Sequence, residues 1–259
     1  MTEEIRILMC SPKHYDVDYV INQWMEGNIH KSSRDRAAEQ WEGLYKILKE
    51  HALVDLVEPQ KGWPDMVFTA NAGVVLGNVA VVSRFFHKER QGEEPYFKAW
   101  FAQQGFTVYE LPKDLPFEGA GDALLDRDGG WLWAGYGFRS ELDSHAYLAK
   151  WLDIEVVSLQ LVDDRFYHLD TCFCPLVIMN KVSNDLKQRL ASVGFQAIET
   201  TLSEFIKAGG AAKCLTLRTT EPVQVEVHAN TPVESRVIRL EGHLLDSGLI
   251  NRALDAIVE

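Results

Sequence analysis

The sequence predicts an α/β fold built from a recurring strand–strand–helix–strand unit, and three observations carry that prediction. Helical stretches with one apolar face are each followed by a turn and a β-rich run. Pairs of short strands lie between those stretches. The unit returns at a period of roughly 50 residues, which suits a propeller or solenoid of ββαβ modules better than one wound sheet. A generic α/β protein with coincidental spacing is the competing reading.

Ser32 to His51 places Ala37, Trp41, Leu44 and Leu48 on one face and leads into a strand at Leu53–Val57. Val67–Val75 and Val79–Ser83 read as the first strand pair. Pro95 to Gln104 reads as a helix stopped by Gly105, with Phe106–Leu111 as the next strand. Ala123–Asp126 and Trp131–Ala134 form the second pair, followed by a helix at His145–Leu152 and a strand at Ile154–Val157. Phe166–Pro175 is a further strand. Ser183 caps a helix to Val193 that Gly194 ends, and Phe195–Thr200 follows it as a strand. Cys214–Arg218 pairs with Val223–His228, and Leu244–Val258 is a last helix with Leu245, Leu249, Ala253 and Ile257 on one face. That face suits core or interface and leaves a homo-oligomer open.

With 259 residues and 46% hydrophobic content, the chain has ample core for one large domain or two small ones. No low-complexity linker divides it, so a single domain over 1–259 is expected. The formal net charge of -12 and pI near 5.1 argue against a general nucleic-acid binder and allow a small cationic substrate. No run approaches the roughly 18 apolar residues of a membrane helix. The acidic start Met1-Thr2-Glu3-Glu4 lacks the basic region of a secretion signal. Four cysteines in such a length do not make a disulfide framework, so a cytoplasmic protein with reduced thiols is expected.

Each unit offers polar residues where its strand pair begins: Asn71, then Glu118-Gly119-Ala120-Gly121-Asp122, then His168-Leu169-Asp170, then Cys214 after Gly209-Gly210. From Asn71 the steps to Asp122, Asp170 and Cys214 are 51, 48 and 44 residues. In a propeller such positions converge near the axis and would form one polar pocket with a nucleophile and a base. Cys214 alone reads as a small buried hydrophobe; the preceding glycines allow a ligand to come close. Lys213, its neighbour on an expected strand, would point to the opposite face. On that expected third strand His168, Asp170, Cys172 and Cys174 share a face, which raises zinc. Alternating ligands on one strand wrap a tetrahedral ion poorly, so no metal is expected. Arg84, Arg90 and Arg139 default to the surface, although one or two could grip a substrate carboxylate through a bidentate fork.

This ordered set resembles the guanidino-modifying enzymes of the pentein fold, a family that includes arginine deiminase, dimethylarginine dimethylaminohydrolase and the amidinotransferases. The similarity runs from Ile5 to about Arg218. Ile7-Leu8-Met9-Cys10-Ser11-Pro12, Asn22 before Trp24-Met25, and Pro64-Asp65-Met66-Val67-Phe68-Thr69-Ala70-Asn71 look most like the cyanobacterial-type arginine dihydrolase branch. The resemblance implies an α/β propeller of five ββαβ modules and a cofactor-free hydrolase of arginine. Cys214 would be the nucleophile, His168 the acid and base, and Glu118 its orienting carboxylate. Asp122 and Asp170 would hold the guanidinium, Arg90 and Arg139 the α-carboxylate, and Asn22 would assist at the α-amino end. Deiminases of the family usually carry an aspartate where this chain has Asn71. A neutral amide suits a second attack on a neutral citrulline-like group, which favours dihydrolase over deiminase or dimethylarginine hydrolase. The ribosome-binding relative on the same scaffold keeps a non-catalytic binding protein, or a degraded arginine-binding paralogue, as the alternative class.

The chain departs from the family after Leu176. Cys174-Pro175-Leu176 runs directly into Val177–Lys181 and the helix at Ser183, where the family has a further strand, a helix and the next module's first strands. About one module is missing, so four modules are expected rather than five.

Overall fold

A computed structural model describes residues 4–127, 130–173, 188 and 199–221. Strand β1 (Arg6–Cys10) is followed by helix α1 (Arg34–Lys49) and by β2 (Leu53–Val57), which pairs parallel to β1 with Ile7 opposite Val54. Ser33 caps α1 by accepting from the Arg36 amide. The helix buries Ala37, Trp41, Leu44 and Leu48, the face its spacing predicts, against Met9, Tyr15, Phe68 and Phe205. Each large side chain removed from water there contributes roughly 1.5–3 kcal/mol.

The next two units repeat one build. Strands β3 (Gly73–Leu76) and β4 (Val79–Val82) form an antiparallel pair. The chain then passes through the one-turn α2 (Lys88–Gln91) and α3 (Glu94–Gln103) to β5 (Thr107–Glu110), parallel to β4. Strands β6 (Ala123–Asp126) and β7 (Trp131–Tyr136), helix α4 (Ser144–Leu152) and β8 (Glu155–Gln160) do the same. After the short α5 (Ser203–Ile206), β9 (Leu217–Arg218) returns to pair antiparallel with β1. The order β9–β1–α1–β2 is again strand, strand, helix, strand, assembled from early and late parts of the chain. The Thr219 amide donates to the Arg6 carbonyl at 2.9 Å and the Arg6 amide to Thr220 Oγ1 at 2.8 Å, which fastens this union. Three three-stranded ββαβ units are therefore complete among the described residues.

Two expected strands are shorter than their sequence suggests, and a third, Phe166–Pro175, is not a strand over its described residues. Strand β3 starts only at Gly73; Pro64–Val67 and Thr69–Ala72 are 3₁₀ turns. Pro64 brings a fixed φ and no N–H, and the Phe68 and Asn71 amides bond three residues back, to Asp65 and Phe68 carbonyls. Around His168 the described chain is a 3₁₀ turn, Leu169–Thr171, so His168, Asp170 and Cys172 do not alternate on a strand. Residues 212–215 are a turn closed by the Leu215 amide on the Ala211 carbonyl, so Lys213 and Cys214 are not on opposite strand faces. The expected helix Leu244–Val258, the strand Val223–His228, all of the expected helix Ser183–Val193 but Gln188, and most of Phe195–Thr200 lie outside the described residues, as does Cys174. No described helix is long and apolar enough to cross a membrane.

Candidate active site

The turns that interrupt the expected strands all deliver side chains to one pocket between the units. Asn71 comes from the turn before β3, His168 from the turn after β8 and Cys214 from the turn before β9, while Glu118, from the loop before β6, bonds His168 from outside the pocket lining. Asn22, Asn71, Arg90, Arg139, His168 and Cys214 all line that pocket, together with Asp65, which the sequence reading did not single out as a functional residue. The glycines of the Glu118–Asp122 loop make the convergence sterically feasible. A Cβ on Gly121 would sit 2.4 Å from Asn71 Nδ2 and 3.3 Å from the His168 ring. The pair before Cys214 does something similar: a Cβ on Gly209, at φ +82°, would strike the Tyr167 hydroxyl at 2.4 Å.

Glu118 is fully buried and both of its carboxylate oxygens are engaged. Oε2 accepts from His168 Nε2 at 2.6 Å and from Arg139 Nη1 at 3.2 Å, and Oε1 accepts from the Phe86 amide at 3.2 Å. Burial alone would raise its pKa; the Arg139 charge and the His168 contact outweigh burial and hold it below the usual carboxylate range. An ionised carboxylate only accepts, so Nε2 of His168 carries the hydrogen, and Nδ1 is the nitrogen left for proton transfer.

Asn71 is held from both ends. Its Nδ2 donates to the Glu118 carbonyl and its Oδ1 accepts from Arg90 Nη1, each at 3.0 Å. One N–H and one lone pair stay available for a ligand. An aspartate here would set a carboxylate oxygen against the Glu118 carbonyl.

The two arginines reach the pocket but are heavily committed. Arg90 stacks over Phe85 and makes four hydrogen bonds, two of them to Glu93 at 2.9 and 2.8 Å, which leaves one of its five N–H donors. Burial pushes Glu93 up to about 7 despite that pairing. Arg139 lies over the Tyr167 ring and also donates to the Ile21 carbonyl at 2.7 Å. Asn22 caps the turn Gln23–Met25 through Oδ1 and donates through Nδ2 to the Ala208 carbonyl at 3.1 Å.

The remaining carboxylates divide sharply. Asp122 does not reach the pocket wall: it is fully buried, Oδ2 accepts from the Ser140 hydroxyl at 2.6 Å and Oδ1 from the Leu169 amide at 2.9 Å. Burial pushes its pKa up to about 6. Asp170 Oδ2 lies 3.9 Å from Cys214 Sγ and 3.7 Å from Lys213 Nζ, while its buried Oδ1 has no hydrogen-bond partner among the described residues. Asp65 Oδ2 accepts from Tyr19 at 2.9 Å, and its buried Oδ1 likewise has no partner among the described residues. An acidic residue inside the apolar run Pro64–Phe68 is the signal that marked Asp65 in the sequence, because buried carboxylates need partners. The one described His/carboxylate group close enough to share an ion, Asp16, Asp18 and His30, runs from partly buried at Asp16 to exposed at Asp18 and His30 and includes none of the pocket's own residues.

A family model described as N,N dimethylarginine dimethylhydrolase, eukaryotic, matches residues 12–181. The bifunctional arginine dihydrolase/ornithine cyclodeaminase AgrE of Nostoc sp. is 68% identical, and its Synechocystis sp. counterpart ArgZ 62%; each alignment covers 100% of this chain and 44% of the relative. The chain thus spans less than half the length of these two relatives. Both alignments run over 309 positions, 50 more than the 259 residues of the chain, so each relative carries at least that many positions inside the matched span that this chain lacks. The N(G),N(G)-dimethylarginine dimethylaminohydrolase of Mycobacterium tuberculosis is 34% identical over 82% of this chain and 85% of that protein. The crystal structure of the N-terminal domain of ArgZ, an arginine dihydrolase bound to product, superposes with a TM-score of 0.84 at 62% identity, covering 85% of this chain and 99% of that one.

Proposed function

The chain belongs to the dimethylarginine dimethylaminohydrolase family, and from that premise we propose that it hydrolyses the guanidino group of arginine twice, giving ornithine, ammonia and carbon dioxide. The observation that carries this reading is the Asp170 carboxylate against Cys214: Oδ2 lies 3.9 Å from Sγ and the buried Oδ1 has no partner among the described residues, beside the pocket lined by Cys214 and by the His168 that Glu118 holds. A delocalised guanidinium is a poor electrophile, and a buried carboxylate with an open acceptor is the group that binds and orients it.

Cys214 as thiolate attacks the guanidino carbon, and ammonia leaves with a proton from His168 Nδ1. His168 then takes a proton from water, which attacks the S-linked amidino carbon and expels the thiolate, leaving citrulline. The same two steps on the ureido carbon release a second ammonia and a carbamate that loses carbon dioxide to give ornithine. Glu118 keeps the imidazole in one tautomer and stabilises its charged form. Asn71 uses its remaining N–H and lone pair on the neutral ureido group. Asp65 Oδ1 accepts from the α-ammonium, with Asn22 nearby. The remaining Arg90 donor and Arg139 face the α-carboxylate. Asp122 acts behind the site, tying Ser140 to the His168 turn.

The alignment difference of at least 50 positions matches one ββαβ unit of roughly 50 residues. It supports a four-module form of the family ring. It also favours a second reading, an arginine-binding relative that no longer turns over, because a missing unit removes part of the substrate shell. Incubation with arginine, followed by mass spectrometry, separates these. Ornithine with two ammonia per arginine is the expected result. Accumulating citrulline points to a deiminase, and ligand-induced thermal stabilisation without product to a binding relative.

A further inference from the structure

We propose that Lys213 is a positioning residue for the second hydrolysis, supplying the positive charge that the substrate has by then lost. The inference rests on the double-hydrolysis reading. Lys213 Nζ is hung from the Ala120 carbonyl at 3.0 Å, in the loop between Glu118 and Asp122. From there it stands 3.7 Å from Asp170 Oδ2, the same oxygen that lies 3.9 Å from Cys214 Sγ. The turn at residues 212–215 is what allows two adjacent side chains to address one carboxylate.

Charge balance makes the consequence specific. The Asp170 side chain is 1% exposed, so a thiolate forming beside it meets a carboxylate that water hardly screens. During the first attack the guanidinium and the Lys213 ammonium together balance the thiolate and Asp170. During the second attack the ureido group is neutral; the protonated His168 is paired with Glu118, and Lys213 is the cation at Asp170 that offsets the thiolate and that carboxylate. Without it, two negative charges face a neutral electrophile. The thiolate would form less often, and it would be repelled by the carboxylate that must orient the substrate.

The two steps therefore differ in their need for Lys213. In the first, thiolate attack on the guanidino carbon releases one ammonia and water returns the thiolate and citrulline. In the second, attack on the ureido carbon forms a thiocarbamate as ammonia leaves, and water returns the thiolate and the carbamate of ornithine. No other reactant enters either step.

The test compares Lys213→Gln and Lys213→Met, which remove the charge, with Lys213→Arg, which keeps it. Arginine is supplied in excess, and citrulline and ornithine are counted by mass spectrometry, with melting temperature as the check on folding. In the two charge-free variants the ornithine-to-citrulline ratio should fall roughly tenfold or more, with arginine consumption much less affected. Lys213→Arg should restore ornithine. A structural role would slow both steps together, so variants that keep the parent ratio, or lose both steps in proportion, overturn the proposal. Should one charge-free variant fold poorly, the other decides. A parent enzyme that releases no ornithine refutes the double-hydrolysis reading itself and takes this proposal with it, a failure visible before any variant is made.

Discussion

Glu118 and Asp122 stand against Asp65 and Asp170 as two kinds of buried carboxylate around one pocket. Every oxygen of the first pair accepts from a protein donor, whereas each member of the second keeps an unpartnered oxygen among the described residues. A buried acceptor without a partner costs about 1–3 kcal/mol, and folds retain such costs where a ligand removes them. Under the proposed function the fully engaged pair builds the site and the open pair receives the substrate. This also explains why Asp122, which shares the sequence pattern of a guanidinium ligand, is occupied elsewhere.

That division predicts how each variant fails. Glu118→Gln removes one partner of a buried network with His168 and Arg139, so it should cost roughly 3–5 kcal/mol of stability. The melting temperature should fall by roughly 10 °C in a protein of this size. A drop in activity with an unchanged melting temperature would blur the division. Asp170→Asn should do the reverse: about a hundredfold loss in kcat/KM with nearly parent stability. Asp65→Asn should raise KM for arginine about tenfold and leave kcat close to the parent value, because it touches the part of the substrate that does not react.

Asp122→Asn should be smaller still, a loss of about 1–3 kcal/mol with KM unchanged. Its pH dependence sharpens the comparison. The folded Asp122 carboxyl is raised to about 6, so the fold binds that proton more tightly than the unfolded chain does. Its contribution is full below the unfolded value of roughly 3.9 and is lost as pH rises through about 6. The deficit of Asp122→Asn against the parent should therefore narrow by about 1 kcal/mol between pH 5 and pH 8, read from melting curves. Glu118 runs oppositely. Its folded value is depressed, so its stabilisation is complete above roughly pH 4.3 and drains away on acidification.

Much of this was legible in the sequence because periodicity reports burial. The α1 face Ala37, Trp41, Leu44 and Leu48 is buried as its spacing requires, and the ββαβ order holds in the second and third units. Asn71, His168 and Cys214, far apart in the chain, do line one pocket, with Glu118 bonded to His168 from outside the lining. What failed was local. Short 3₁₀ turns at 64–72 and 169–171 carry apolar residues at intervals that imitate a strand, and period alone cannot tell the two apart. The opposite-face expectation for Lys213 fell with the strand it assumed. The commitment of Arg90 to Glu93 is a tertiary fact, although the spacing of three on a helical turn was its available sign.

The central claim is that Cys214 attacks arginine's guanidino carbon, and intact-protein mass spectrometry of samples quenched during turnover tests it most directly. The account predicts an adduct equal in mass to arginine less ammonia, located on the Cys214 peptide and absent from Cys214→Ala. Turnover with Cys214 unmodified throughout, or activity undiminished in Cys214→Ala, would contradict it.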